Sequence, residues 1–382
     1  MTKLRYASSL VLLGLSNTLL ACETSPDSEP QPDQIGIDAD GIAEVEQLAD
    51  AAIAAGIPGL SVAIMRDGQT VTIARGAADL QNGSAVTAQH RFRMGSIAKS
   101  FVASMILQLV DEGALGLDDS LERWLPGMLP ASSTVTIEQL LRQESGIFDH
   151  ANDERHLAPY IQGDMEFFWE PAELVALSNA HPPDFEPGER WAYSNTNYLL
   201  LGMIVEKLEG ESLANVAQRR IASPVGLTET TMEIDSDMEE PFARGYLVGL
   251  GPELVDTTRI SSSAVFGHGN LVSTPLDIAR FYRALARGEV VSEALLPSMV
   301  SLDPHVPSEY AMGLYRFDEF FRCGTFVGHD GQTPGYDNIG YTTLDGRRQV
   351  VVSVSSSTTD DKAGEPAAHE AFYQLVMAAG CR

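Results

Sequence analysis

Residues 96–110 read SIAKSFVASMILQLV, and the rest of the chain is best read outward from them. Apolar residues fall on nearly all sides of a helical projection, so the run predicts a buried helix from Ser96 to Val110. Ser96 and Lys99 stand three apart, which sets hydroxyl and amine on one helical face. A serine hydroxyl is a weak nucleophile until a neighbouring base takes its proton. A lysine among Phe101, Val102, Met105 and Ile106 is desolvated. Its ammonium form is then disfavoured, and its amine can be that base. The chain holds only Lys3, Lys99, Lys207 and Lys362, so a lysine at this spacing carries more information than usual.

Two further motifs complete a chemical set. Tyr193-Ser194-Asn195 follows the turn Pro187-Gly188. A tyrosine beside a cationic lysine is expected to favour its phenolate and so to shuttle protons. The Asn195 amide can bind a substrate carbonyl and Lys99 together. His329-Asp330-Gly331 falls in a β-like run. Gly331 lets a substrate backbone approach closely. The backbone N–H of Gln332 is expected to pair with that of Ser96 as an oxyanion hole.

Around these motifs the chain alternates in character. Ile42 to Ala55 has helical spacing; Ser61–Met65 and Val71–Ala74 are β-rich and separated by Asp67-Gly68, a hairpin signal. Residues 112–259, roughly, are mostly helical with many Pro and Gly turns. Strand character returns at Phe326–His329, Asn338–Thr343 and Gln349–Val354, with Asp345-Gly346 between the last two, and the chain closes on a helix from Glu365 to Ala379. Strands at both ends and helices between them predict an α+β fold: an antiparallel sheet flanked by helices, with an inserted helical subdomain at about 112–259.

The 382 residues carry a net charge of −28, which repels polyanions and argues against a nucleic-acid partner; adaptation to the medium accounts for the charge equally well. No stretch of eighteen apolar residues follows the first thirty positions, which excludes a membrane-spanning body. The start reads as an export signal over 1–21: Lys3 and Arg5, apolar Leu10–Leu15, then Leu19-Leu20-Ala21 before Cys22. A small residue before cysteine is similar to a bacterial lipobox, with Cys22 the lipid-bearing mature N-terminus; an ordinary cleaved signal is the alternative. Residues 22–41 then read as a Pro-, Asp-, Glu- and Ser-rich tether, leaving 42–382 as the folded domain. With Cys22 acylated, Cys323 and Cys381 remain for an oxidising compartment, as a disulfide or as two free thiols. The localisation expected is the cell envelope or periplasm.

The three motifs, in this order, resemble the serine β-lactamases of the cephalosporinase type and the DD-carboxypeptidases, most of all the soluble extracellular DD-carboxypeptidases. The resemblance takes in Arg91-Phe92-Arg93, LQLVDEG at 107–113, YSNTNY at 193–198, GHGNLVSTPLD at 267–277 and Cys323-Gly324-Thr325, and covers roughly residues 42–382. It implies an acyl-enzyme on Ser96, proton transfer by Lys99 and Tyr193, and substrate contacts from Asn195 and His329. It also implies a Cys323–Cys381 disulfide. The substrate it implies is a small peptide, ester or β-lactam, with D-alanyl-D-alanine peptides first; no cofactor or metal is expected.

The chain also departs from that pattern. The carboxypeptidases usually carry threonine between His and Gly, and another after the Gly; here these are Asp330 and Gln332. Tyr315 stands where a carboxylate-binding arginine is expected, beside Arg316. An aspartate near an anionic terminus is repulsive unless Arg316 or a proton compensates. Arg316 is therefore the expected substrate-binding cation, and an esterase or amidase on substrates without a free carboxylate is the alternative. A penicillin-binding envelope protein without turnover is a third reading. An α/β-hydrolase would need a Gly-x-Ser-x-Gly elbow, which does not occur, and His268 and His369-Glu370 are isolated from any metal-ligand pattern.

Overall fold

The computed structural model describes residues 37, 39–130, 133–248, 254–318, 323–358 and 366–381. The export signal, Cys22 and nearly all of the tether lie outside the described residues. Helix α1 spans Ala39–Ala54, three residues longer at its start than the spacing predicts, with Asp40 in the first turn where the helix dipole favours an acid. Strands β1 (Gly59–Arg66) and β2 (Gln69–Asp79) form the expected hairpin, with Asp67 and Gly68 both at positive φ in the turn. A short β3 follows at Ser84–Ala85.

The helix predicted from Ser96 to Val110 divides in two. Gly95–Ile97 is a 3-10 turn, and α2 proper runs Ala98–Asp111. Then come short helices at Leu121–Trp124, Ile137–Leu141, Glu154–Ile161 and Pro171–Asn179, and the long α3 at Asn195–Glu209. The middle of the chain is not helical throughout. Tyr246–Val248 and Val255–Asp256 are strands that join Ser356–Thr358 in a small sheet. Helix α4 (Pro275–Ala286) precedes β4 (Tyr315–Phe317), β5 (Phe326–Thr333), β6 (Tyr336–Thr343), β7 (Arg348–Val354) and the closing helix α5 (Pro366–Cys381).

The main sheet has the order β3-β2-β1-β7-β6-β5-β4, antiparallel throughout, so the two ends of the chain do assemble one sheet. Successive side chains on a strand point to opposite faces. Val62, Ile64, Val350 and Val352 pack under α1 and α5 with Val45, Ala49, Leu375 and Val376. Ala63, Met65, Val327 and Val351 pack on the other face with α2 and α4. Both faces are covered, which is why β1 and β7 read as continuous apolar runs. Cys323 and Cys381 are disulfide-bonded, tying the end of α5 to the segment entering β5.

Strand β4 pairs with β5 only from Phe326 to Gly328. Beyond Gly328 β5 has no pairing with β4, and the turn that carries Ser96 packs against Gly331.

Candidate active site

Ser96 is placed by backbone contacts before any side chain acts. Phe92–Arg93 pairs with Val272–Ser273, and Met94 N–H donates to the Leu271 carbonyl. The 3-10 turn then presents Ser96 ahead of α2, only half-buried, while Lys99 behind it is fully buried. Two glycines let this turn lie against β5. A Cβ on Gly331 would sit 1.9 Å from the Met94 carbonyl oxygen and 3.0 Å from Ser96 N, and one on Gly95 would sit 2.8 Å from Gln332 N. The backbones of Ser96 and Gln332 are therefore neighbours. Asn338 on β6 secures the arrangement, its amide donating to the carbonyls of Arg93 and Gly331, both at 2.9 Å.

Lys99 Nζ donates to Ser96 Oγ at 2.9 Å, to Asn195 Oδ1 at 2.8 Å and to the His268 carbonyl at 2.9 Å, so all three ammonium hydrogens have acceptors. Burial pushes the Lys99 amine down to about 7, although the Asp149 and Asp330 carboxylates pull it back up. A neutral amine is thus well populated near pH 7 and can accept the Ser96 proton. Tyr193 Oη donates to Ser96 Oγ at 2.8 Å. Here the expectation of a phenolate is overturned. Burial, with Tyr315 nearby, pushes the Tyr193 phenol well above its ordinary value. Burial of the phenol itself outweighs the partly charged Lys99 beside it, so Tyr193 keeps its proton and is a donor.

Asn195 opens α3, and three consecutive residues there grip the segment 143–150. Asn195 Nδ2 donates to Asp149 Oδ2 at 3.0 Å, Thr196 Oγ1 accepts from the His150 N–H at 3.0 Å, and Asn197 Oδ1 accepts from Ser145 Oγ at 2.6 Å. Gln143, at φ 64°, accepts from the Ser194 N–H. Asp149, Gln143 and the His268 carbonyl are absent from the sequence-derived site. Asp149 stands in a mostly polar stretch with acids on both sides, Glu144 and Asp153, and so had no distinctive signal; the carbonyl, a backbone group, had none.

On β5 the alternation is as expected: His329 and Gly331 are buried, Asp330 is partly exposed and Gln332 exposed. The His329 ring lies among Tyr310, Tyr315 and Tyr193, with centroids 5.6, 5.1 and 6.3 Å away. Its Nδ1 meets the Asp330 carbonyl, which only accepts, so Nδ1 carries a hydrogen there, and Nε2 lies 3.2 Å from Tyr310 Oη. Burial pushes the Asp330 carboxyl up, but the approach of His329 Nδ1 to its Oδ1, 3.4 Å away, outweighs this and holds it net below its ordinary value.

Arg316 is not brought to this group. It pairs across the sheet with Val327, while Tyr315 pairs with Gly328. Residue 330 is an odd number of steps from 327, so Arg316 and Asp330 leave opposite faces of the sheet. The Arg316 guanidinium is held instead by Asp318 at 3.2 Å and the Val300 carbonyl at 3.3 Å. Tyr315 is buried, with its ring packed edge-on to that of His329.

Among the described residues no helix is long and apolar enough to cross a membrane. Comparison with known proteins agrees with the geometry. The family described as Beta-lactamase matches residues 45–374. Penicillin-binding protein 4 of Amycolatopsis lactamdurans is 30% identical over 238 residues, which are 59% of this chain and 59% of that protein. The chain thus spans about three fifths of the length of the curated relatives it matches. Among solved structures, a D-stereospecific amidohydrolase from a Streptomyces species superposes with a TM-score of 0.77 at 30% identity, covering 86% of this chain and 97% of that one. The D-amino acid amidase of Ochrobactrum anthropi SV3 does so with a TM-score of 0.77 at 27% identity, covering 89% and 98%. This chain belongs to the beta-lactamase family, and with it to the serine hydrolases of the β-lactamase and DD-peptidase superfamily.

Proposed function

We propose that this chain is an exported serine hydrolase that cleaves amide or ester bonds through a Ser96 acyl-enzyme, preferring leaving groups without a carboxylate. The observation that carries the chemistry is Ser96 Oγ hydrogen-bonded at once to Lys99 and Tyr193. As Ser96 Oγ bonds to the substrate carbonyl carbon, its proton passes to the Lys99 amine. The oxyanion that forms is stabilised by the N–H groups of Ser96 and Gln332. The bond to the leaving nitrogen or oxygen then breaks as that atom takes a proton from Tyr193, and Lys99 returns its proton to Tyr193. Water attacks the acyl-enzyme ester by the same steps, releasing the acid and free Ser96.

Carboxypeptidase action on D-alanyl-D-alanine was the first expectation. What favours an uncharged leaving group is the surroundings of His329: Tyr315 packed on its ring, an ionised Asp330 next along the strand with Oδ1 3.4 Å from its Nδ1, and Arg316 engaged by Asp318. The likeness to a D-amino acid amidase supports the same reading. The test is kcat/KM for a D-amino acid amide against a D-alanyl-D-alanine peptide. The amide is expected to be the better substrate by tenfold or more; the reverse order would restore the carboxypeptidase reading. Export with acylation of Cys22 belongs to the same proposal, and mass analysis of the mature N-terminus checks it.

A further inference from the structure

Asp149 is a buried carboxylate, 5% exposed, that the steps above leave without a task. Its Oδ1 accepts from the Ala151 N–H at 3.1 Å, as the N-cap of the turn His150–Asn152. Its Oδ2 accepts from Asn195 Nδ2. A carboxylate can only accept, so this bond settles which way the Asn195 amide faces. Its nitrogen must point to Asp149 and its oxygen to Lys99.

Resting on the reading of Ser96 and Lys99 as nucleophile and base, we propose that Asp149 is a positioning residue: through the Asn195 amide it holds the Lys99 amine against Ser96. Without Asp149 the amide is free to turn its NH2 toward Lys99, offering a donor to a donor. Lys99 would then lose one of the three acceptors that place it, and a small displacement of a base costs rate steeply.

Charge gives the proposal a signature that packing alone does not have. The groups facing Lys99 are Ser96 on its own helix turn, the rings of Tyr193 and Tyr198 at 4.8 and 5.8 Å, Asn195, His268, His150, Asp149 and Asp330. Burial pushes the His150 and His268 rings well below their ordinary range, which keeps them neutral. Burial pushes the Asp149 carboxyl up to about 6, so above that pH it is ionised and is the leading charge that favours Lys99 ammonium, with Asp330 second. Replacing Asp149 by a neutral residue should lower the Lys99 pKa. The base would then stay active at lower pH even as the rate at its optimum falls.

The experiment measures Ser96 acylation by a fluorescent penicillin, and hydrolysis of nitrophenyl acetate, from pH 5 to 9 in Asp149→Asn and Asp149→Ser. The serine keeps an acceptor for the Ala151 N–H and takes over if the Asn variant does not fold. Expected is a loss of about tenfold to a hundredfold at the optimum, the cost of a misplaced catalytic group, together with an acid limb moved to lower pH. Asn195→Ala, which leaves the Asp149 charge in place, should lose rate with a smaller movement of the limb. Wild-type rates, or a uniform loss with the limb unmoved in both Asp149 variants, would overturn the proposal. Failure of the underlying reading looks different: Ser96→Ala would still be labelled and active, whatever Asp149 does.

Discussion

The wall that carries Ser96 and the wall that carries Asp330 lie against each other but are built differently. On the first, Lys99, Asn195 and Asp149 form one hydrogen-bonded chain, and both oxygens of Asp149 are used. On the second, the Asp330 side chain is 34% exposed and its Oδ1, 3.4 Å from His329 Nδ1, has no hydrogen-bond partner among the described residues. Gln332 is exposed, and Arg316 is paired to an exposed Asp318. A satisfied, buried network specifies one geometry, as bond-making requires. A looser, partly wetted edge can change its residues at small structural cost, as a specificity surface requires. The chemistry should therefore be rigidly dependent on the first wall, and substrate choice tunable on the second.

The largest effect that separates the walls is expected at Ser96. Ser96→Ala should abolish the penicillin adduct and lower turnover on the order of 10³-fold or more, because nucleophile and base act as a unit. Near-normal hydrolysis by the alanine variant would break the comparison at its root. Next comes pH. Lys99 must be neutral to accept a proton, and burial holds its pKa at about 7. Activity should therefore fall by about tenfold per unit as pH drops below that value and level off above it. A kcat/KM profile flat from pH 5 to 8 would remove Lys99 as the base.

On the second wall the effect is smaller and selective. Asp330→Thr should raise kcat/KM for a peptide with a free carboxylate relative to an ester by roughly fivefold, since a like charge in a partly solvated cleft costs about 1 kcal/mol. An unchanged ratio would mean that Asp330 has no part in substrate choice. The smallest effect concerns stability. Glu144, in the segment that α3 grips, is buried with Oε1 unpartnered among the described residues, and burial pushes its carboxyl up to about 7 from an ordinary 4.5. The folded state therefore binds this proton more tightly than the unfolded one. That contribution is complete below pH 4.5 and is lost as pH rises through about 7. Glu144→Gln should gain in melting temperature over the wild type between pH 5 and 8; a constant difference would show that Glu144 is solvated.

How far each part could be read from the chain follows from the distance its reading must span. Ser96 and Lys99 are three residues apart, and helical geometry alone brings them together. The Asp67-Gly68 hairpin and the β1 and β7 runs are likewise local, because turn chemistry and burial on two faces leave a mark in consecutive residues. Tyr193, Asn195 and His329 were legible only as motifs in a fixed order. The protonation of Tyr193 depends on how deeply the fold buries the phenol, which its motif does not show.

The remaining features come from pairings that no local pattern encodes. Asp149 meets Asn195 across 46 residues, and the His268 carbonyl meets Lys99 across 169. Arg316 sits next to Tyr315 in the chain, yet the register Tyr315↔Gly328 sends the two side chains to opposite faces, and a shift of one residue would have exchanged them. Local sequence thus determined the pairing of Ser96 with Lys99 and the strands that frame them, since these depend on neighbours along the chain. Which charges surround Lys99, and which side chains surround His329, were decided by sheet register and burial, since both are set by residues far apart in sequence.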